Sequence, residues 1–263
     1  MSRRDSDEAL TPDNREFVTA LASGLEVILA FDEAHPRMTL SEVAARTGMN
    51  RAKARRFLLT LHALGYVRKQ GRSFELAPRV LQLGYAFLSA NNYRSVIQQV
   101  LEEITAECGE SSSLGVLDGK EVIYVARSSA PHRLMAITLS IGTRLPAAYT
   151  SMGRVLLAQL SDAQLEGFLE EVVLEAHTEH SVTTRSELRQ RILAARQQGY
   201  AVVDQELDSG LRSLAAPAFD ANGKLLGAIN ISTNAARVDL DTLMKEYLPL
   251  LQEKARLIRT SVS

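Results

Sequence analysis

Near the start of the chain apolar residues recur at helical spacing. Phe17, Leu21, Leu25 and Ile28, flanked by Val18 and Leu29, predict a helix over 14–33 that His35-Pro36 breaks. The polar residues 1–13 before it are expected to form a disordered tail. Thr39-Leu40-Ser41-Glu42 fits a capping box, in which the Thr39 hydroxyl accepts from the Glu42 amide and the Glu42 carboxylate reaches back. The short helix beginning there is expected to run to about Thr47 and to stop at Gly48, a residue that tolerates positive φ. Asn50 suits the cap of a second helix over 51–64, which ends at Gly65. Tyr66 to Leu76 then reads as two short strands around Gly71.

Pro78 suits the first turn of a further helix reaching Ala90. Its Val80, Leu81, Leu83, Phe87 and Leu88 fit packing against the same helix of a second subunit, and they fit a core helix equally well. Asn91-Asn92 is the natural joint with the second domain. After a helix at 93–108 the texture changes to strands at 113–118 and 121–127, joined by Asp118-Gly119, a tight hairpin signal. More strands are expected at 134–140, 200–204, 212–219 and 225–232, the last two joined by Asn222-Gly223. Helices are expected at 150–159, 162–170, 185–198 and 239–259. Hairpin strands mixed with helices indicate an α+β class rather than a doubly wound parallel sheet. The expected domains are a tail (1–13), a mainly helical unit with a two-stranded wing (14–77), a linker or dimerisation helix (78–92) and an α+β domain (93–263).

The length of 263 residues accommodates two domains, and 46% apolar with 23% charged residues is the composition of a soluble globular protein. No run approaches the roughly 18–20 apolar residues that cross a bilayer. The first residues lack the apolar core of a secretion signal, so a cytoplasmic location is expected. The single cysteine, Cys108, excludes an intramolecular disulfide and fits a reducing compartment.

The net charge of −1 hides an asymmetry. Between Arg46 and Arg72 the chain carries Arg46, Arg51, Lys53, Arg55, Arg56, Arg68, Lys69 and Arg72 and no acidic residue, whereas the rest mixes both signs. A local basic patch on a near-neutral protein is what a phosphate-facing surface looks like. Each arginine alone is ordinary solvated surface; the grouping and the helix-turn-helix spacing are what point to DNA. On the 51–64 helix, Ala54, Phe57, Leu58 and Leu61 share a face that must pack inward. Ala52, Arg55 and Arg56 lie opposite, with Arg51 and Lys53 flanking at the end that meets base edges when such a helix enters the major groove. Arginine there bridges O6 and N7 of guanine, and Ala52 suits a thymine methyl. Arg68, Lys69 and Arg72 on the hairpin suit phosphate or an adjacent minor groove. Thr39 and Asn50, at the starts of the two helices, complete the expected DNA contacts.

By these residues the chain resembles the IclR family of bacterial regulators over nearly its whole length. The resemblance runs from Thr39-Leu40-Ser41-Glu42-Val43-Ala44 through Leu64-Gly65-Tyr66-Val67. It continues in Leu145-Pro146-Ala147-Ala148-Tyr149-Thr150-Ser151-Met152-Gly153-Arg154, Val203-Asp204-Gln205-Glu206-Leu207-Asp208-Ser209-Gly210-Leu211-Arg212-Ser213 and Asn230-Ile231-Ser232-Thr233. The last three strings are similar to the subgroup that regulates protocatechuate and β-ketoadipate catabolism. The resemblance implies a winged helix-turn-helix domain, a linker helix and a GAF-like effector domain, assembled as homodimers or dimer pairs on a palindromic operator. It also implies an effector of the protocatechuate, 4-hydroxybenzoate or β-ketoadipate class. It leaves open activation or repression, since members do both.

Residue chemistry makes its own partial case for an acid site. Thr150 or Ser151 suits the cap of a helix whose first turn holds Met152-Gly153; amides there favour a carboxylate, and Gly153 lets it come close. Ser213, Asn230 and Ser232 offer neutral hydrogen-bond partners, while Leu134, Leu145 and Leu211 suit an apolar wall or plain core. The resemblance implies that Leu134, Ile137, Leu145, Ser151, Met152, Leu211, Ser213, Asn230 and Ser232 border the effector. An acidic pocket position in small-acid sensors of the family aligns with Val203, with Asp204 beside it and, by alternation, pointing away. Arg144 and Arg212 are alternative carboxylate partners, although Arg212 alternates with Leu211 and Ser213 and is expected on the opposite face.

Two rival readings are weaker. A GAF-like enzyme with a DNA-binding head would need a nucleophile, and Cys108 lies near Glu107 and Glu110, which raise a thiol pKa. His177 and His180 have a spacing seen in metal sites, but no cysteine supports them, and neither a metal site nor a cofactor is expected. No nucleophile elbow, phosphate loop or dinucleotide fingerprint occurs, so catalysis is not expected. A DNA-architectural protein would bind without regard to sequence or metabolites.

Overall fold

Residues 12–90, 94–130 and 139–262 are described in the structure, a computed structural model, and they fall into two units divided between Ala90 and Asn91. The first begins with helix α1 (Thr19–Leu29), shorter than its apolar pattern suggests. At its start the Asn14 carboxamide accepts from the Glu16 amide at 2.9 Å, closing a turn, and Val18 offers no side-chain cap. At its end the Asp32 carboxylate accepts from the backbone amide of His35 at 2.7 Å and turns the chain away.

Strand β1 (Arg37–Thr39), helices α2 (Leu40–Arg46) and α3 (Arg51–Ala63), and strands β2 (Val67–Gln70) and β3 (Ser73–Leu76) complete a winged helix-turn-helix. The sheet order is β1-β3-β2, with Met38 and Lys69 flanking Phe74 in register. The expected caps are present: the Thr39 hydroxyl and Glu42 carboxylate form the reciprocal box, and the Asn50 carboxamide accepts from the Lys53 amide at 2.8 Å. Val27, Met38, Val43, Ala54, Leu58, Leu61 and Phe74 share one core. A 3-10 turn (Pro78–Val80) leads into α4 (Leu81–Ala90), on which Leu81 and Leu83 are exposed.

In the second unit α5 (Arg94–Cys108) precedes β4 (Ser111–Asp118), β5 (Glu121–Ser128) and β6 (Arg144–Pro146). Then come α6 (Ser151–Leu157), α7 (Asp162–Glu171), α8 (Arg185–Gln198), β7 (Ala201–Asp204), β8 (Leu211–Phe219) and β9 (Leu225–Asn234). The chain closes with α9 (Leu240–Thr242), a π turn (Leu243–Tyr247) and α10 (Leu248–Ser261). The strands form one antiparallel sheet in the order β6-β5-β4-β9-β8-β7, and the unit is α+β. Most of the strand expected at 134–140, with Leu134 and Ile137, lies outside the described residues.

Strand parity separates two cores. Leu114, Leu214, Ile229 and Ile231 meet Ile97, Leu101 and Ile104 of α5 and Leu251 and Ile258 of α10. On the opposite face small residues, Gly115, Ala215 and Ala228, leave room for α6, whose Met152 sulfur would lie 2.9 Å from any Cβ added at Gly115. α7 and α8 pack outside α6 through Leu165, Leu169, Leu188 and Ile192. Among the described residues no helix is long and apolar enough to cross a membrane.

Buried cations tie this unit together, two of them between helices and distant segments. Lys254 of α10 binds Glu103 at 2.9 Å and Glu107 at 2.7 Å, joining α10 to α5. Arg154 of α6, 2% exposed, donates to both carboxylate oxygens of Glu206 and to the Ala148 carbonyl, the last at 3.2 Å. Glu206 lies in the β7–β8 loop, where the Thr178 and Ser181 hydroxyls donate to the Gln205 and Glu206 carbonyls, each at 2.6 Å. Removing one partner of such a pair leaves the other charge buried and unpaired. Glu206→Ala should therefore cost about 3–5 kcal/mol in chemical denaturation. Breaking the exposed Arg189–Glu166 pair by Arg189→Ala should cost less than about 1 kcal/mol. Equal costs would show that burial does not set the value of the Arg154 pair.

Candidate functional site

The solvent face of α3 presents Arg51, Ala52, Arg55 and Arg56, with Lys53 half-buried; Arg68 and Lys69 of β2 and Arg72 of the wing turn are also exposed. Arg51, Arg55, Lys69 and Arg72 border one groove of about 440 Å³, whose other wall includes Thr39 and Ser41. The start of the second helix and the wing thus open onto the same space. Thr39, on the groove, and Asn50, before α3, have their oxygens engaged in capping, so their first role is to fix where the helices begin.

The seven cations of α3 and the wing differ from Arg37, Arg46 and Arg79 of this unit. Arg37 holds Glu75 at 2.8 Å, Arg46 holds Asp32 at 2.6 Å, and Arg79 donates to the Leu64 carbonyl at 2.9 Å. Among the described residues, Arg51, Lys53, Arg55, Arg56, Arg68, Lys69 and Arg72 have no carboxylate partner. Like charges gathered without counter-charge repel one another and attract a polyanion. Arg46, although part of the basic run in sequence, does not belong to this surface in charge.

In the second unit a polar floor lies on the α6 side of the sheet. Arg127, Ser113 and Asn230 are aligned across β5, β4 and β9, and Ser111, Ser232 and Ser213 across β4, β9 and β8. All five small side chains are buried, as are Leu145, Ser151 and Met152; Leu211 is half-buried. The Asn230 carboxamide nitrogen donates to the Ser232 hydroxyl at 2.9 Å, while the Asn230 Oδ1 and the Ser151 hydroxyl have no partner. Buried polar atoms left so are uncommon and call for an explanation.

The structure removes two of the expected carboxylate partners. Arg212 lies on the α10 side, as alternation requires, holding Asp204 through two 2.9 Å bonds and donating to the Val238 carbonyl. Arg144, on edge strand β6, donates to Glu121 and Asp118 at 2.7 Å each. Val203 faces the polar floor, paired with Ser213, and is buried and apolar.

The sequence reading missed Arg127. It is half-buried, and among the described residues its guanidinium donates only to hydroxyls, Ser113 at 3.1 Å and Ser129 at 3.2 Å. Burial lowers its pKa. Burial also pushes the neighbouring Tyr124 phenol up to about 12, a rise that the charge of Arg127 opposes. A β-bulge explains the omission. Gly115 faces Tyr124 but Leu114 faces Ala126, so an extra residue in β5 reverses its alternation and turns Arg127 onto the face of Ser113.

Gly153 has a different role from the one expected. Its amide is taken by the Thr150 hydroxyl at 3.0 Å, and a Cβ there would lie 2.1 Å from the Ala147 carbonyl oxygen. It permits close backbone packing beneath the seven-residue α6. Cys108 is half-buried, and burial first, then Glu110 and Glu107, raise its thiol pKa. The His177 ring meets Tyr149 edge-on at 4.7 Å, His180 is exposed, and the described residues contain no group of three side chains suited to a metal.

The family model for the IclR helix-turn-helix domain matches residues 20–71, and that for the C-terminal region of bacterial IclR transcriptional regulators matches 85–260. The chain is 42% identical over 241 residues to the Pca regulon regulatory protein of Pseudomonas putida, covering 92% of this chain and 83% of that protein. A crystal structure from Rhodococcus sp. RHA1, described as a transcriptional regulator, is 49% identical with a TM-score of 0.80, over 92% of this chain and 97% of that one. The inducer-binding domain of a PobR double mutant from Acinetobacter, in complex with 3-hydroxybenzoic acid, is 31% identical with a TM-score of 0.60, over 64% of this chain and 98% of that one.

Because Gly153 is a packing residue, Gly153→Ala should act on stability. Overpacking of this kind costs about 1–3 kcal/mol, and here backbone rather than a movable side chain stands in the way. An unchanged melting temperature with loss of ligand binding alone would return Gly153 to the ligand.

Proposed function

The chain belongs to the IclR family of bacterial transcriptional regulators, and we propose that it binds an operator through α3 and the wing and senses a small organic acid in its second unit. In this reading residues 14–77 are the DNA-binding head, 78–92 the linker and 93–263 the effector domain of a cytoplasmic homodimer or dimer of dimers. The observation that carries the DNA reading is the set of seven cations without counter-charge, on two elements that border one groove. Phosphate supplies the missing charge, and release of its counterions makes binding salt-dependent.

The controlled genes are proposed to be those of aromatic-acid catabolism, by the protocatechuate and β-ketoadipate route. Support comes from the Pca regulatory relative and the 3-hydroxybenzoic acid complex, together with a floor of neutral hydrogen-bonding groups under an apolar helix. Leu145, Ser151, Met152, Leu211, Ser213, Asn230 and Ser232 are the proposed lining. By linkage, an effector that changes the affinity for DNA must itself be bound with changed affinity when DNA is present.

A titration on the chain's own upstream intergenic DNA, with and without protocatechuate, 4-hydroxybenzoate or β-ketoadipate, tests the whole reading. Indifference of both affinity and DNA geometry to all three acids would overturn sensing. Arg55→Ala and Arg56→Ala should each cost about 1–3 kcal/mol at particular base pairs. Lys69→Ala should weaken all duplexes alike and reduce the salt slope by about 1. Equal losses on operator and random DNA for all three variants would remove α3 from base recognition.

A further inference from the structure

We infer that Arg127 anchors a carboxylate of the effector, with Asn230 and Ser151 receiving a second polar group of the same molecule. The assignment rests on the effector reading above and gives it a specific contact. Three observations meet here. First, the charges of this unit's other buried cations are already matched: Arg154 by Glu206, Arg212 by Asp204 and Lys254 by Glu103 and Glu107. Arg127 is half-buried, and among the described residues its guanidinium has hydroxyl partners and no carboxylate partner. A guanidinium so placed is a rigid fork of donors fitted to a planar carboxylate.

Second, the unmatched polar groups lie on the same, α6 side of the sheet. Ser113, which accepts from Arg127, is the in-register neighbour of Asn230, so guanidinium and carboxamide lie over adjacent strands, with backbones ~5 Å apart. The Asn230 Oδ1 and Ser151 hydroxyl, in side chains no more than 2% exposed, have no partner. Third, the same side of the sheet carries apolar groups: Met152 lies over the sheet and Leu145 is buried on β6. A group for an anion, groups for a neutral polar function and apolar neighbours on one side of the sheet suit a compact carboxylic acid with a second oxygen function. Burial strengthens the contact, because fewer waters compete for the guanidinium.

The test is calorimetric titration of the full-length protein with protocatechuate, 4-hydroxybenzoate, β-ketoadipate and the uncharged 4-hydroxybenzamide. Wild type should bind at least one of the acids, and 4-hydroxybenzoate more tightly than its amide. Arg127→Gln should weaken binding of the acids roughly 10- to 100-fold and bring 4-hydroxybenzoate and its amide level. Arg127→Lys should recover part of the loss. Effector-free DNA binding and melting temperature, unchanged in both variants, separate this from misfolding. An Arg127→Gln protein that still prefers the acid over the amide as wild type does overturns the anchor and leaves the sensing role standing. A wild type that binds none of the three acids overturns both.

Discussion

A sheet covered on both sides must sort its side chains by strand parity, and the second unit is built on that sorting. Leucines and isoleucines on one face fasten α5 and α10, while glycine, alanine, serine and asparagine on the other let α6 descend and leave hydrogen-bonding groups beneath it. A parity error in β9 would exchange Ile229 and Ile231 for Asn230 and Ser232, placing polar groups in the apolar core and bulky chains under α6. The same alternation therefore builds an apolar core on one side and gathers hydrogen-bonding groups on the other.

Arginine is used in two ways across the molecule. In one, the guanidinium is a structural clasp: Arg154 joins α6 to the β7–β8 loop and Arg212 joins the adjacent strands β7 and β8, their charges matched in place. In the other, on α3, on the wing and at Arg127, the charge has no carboxylate partner among the described residues. Local sequence does not distinguish these uses, because the matching carboxylate is supplied by folding. Arg46 and Arg55 belong to one basic run, yet only Arg46 finds an aspartate, Asp32, on the segment before the first strand.

The same distinction accounts for what could be read from the sequence. Features encoded within a few residues were legible: the Thr39–Glu42 box, the Asn50 cap, the α3 face and the hairpin turns all arise from neighbours in the chain. β1 and β6, each of three residues, had no alternation to reveal them and exist through pairing with β3 and β5. The engagement of Arg144 was likewise hidden, since its partners lie more than 20 residues away. Gly153 misled because close backbone packing and ligand access call for the same residue type, and only the position of Ala147 separates them.

The bulge in β5 also bears on how far site residues carry from one regulator to another. Matching by alignment preserves distance along a strand, whereas the side on which a residue stands depends on how many residues intervene. Up to Tyr124 the two agree. Past that point, a relative with one residue fewer would turn the counterpart of Arg127 toward α5, and the matched column would name a core residue as a ligand contact.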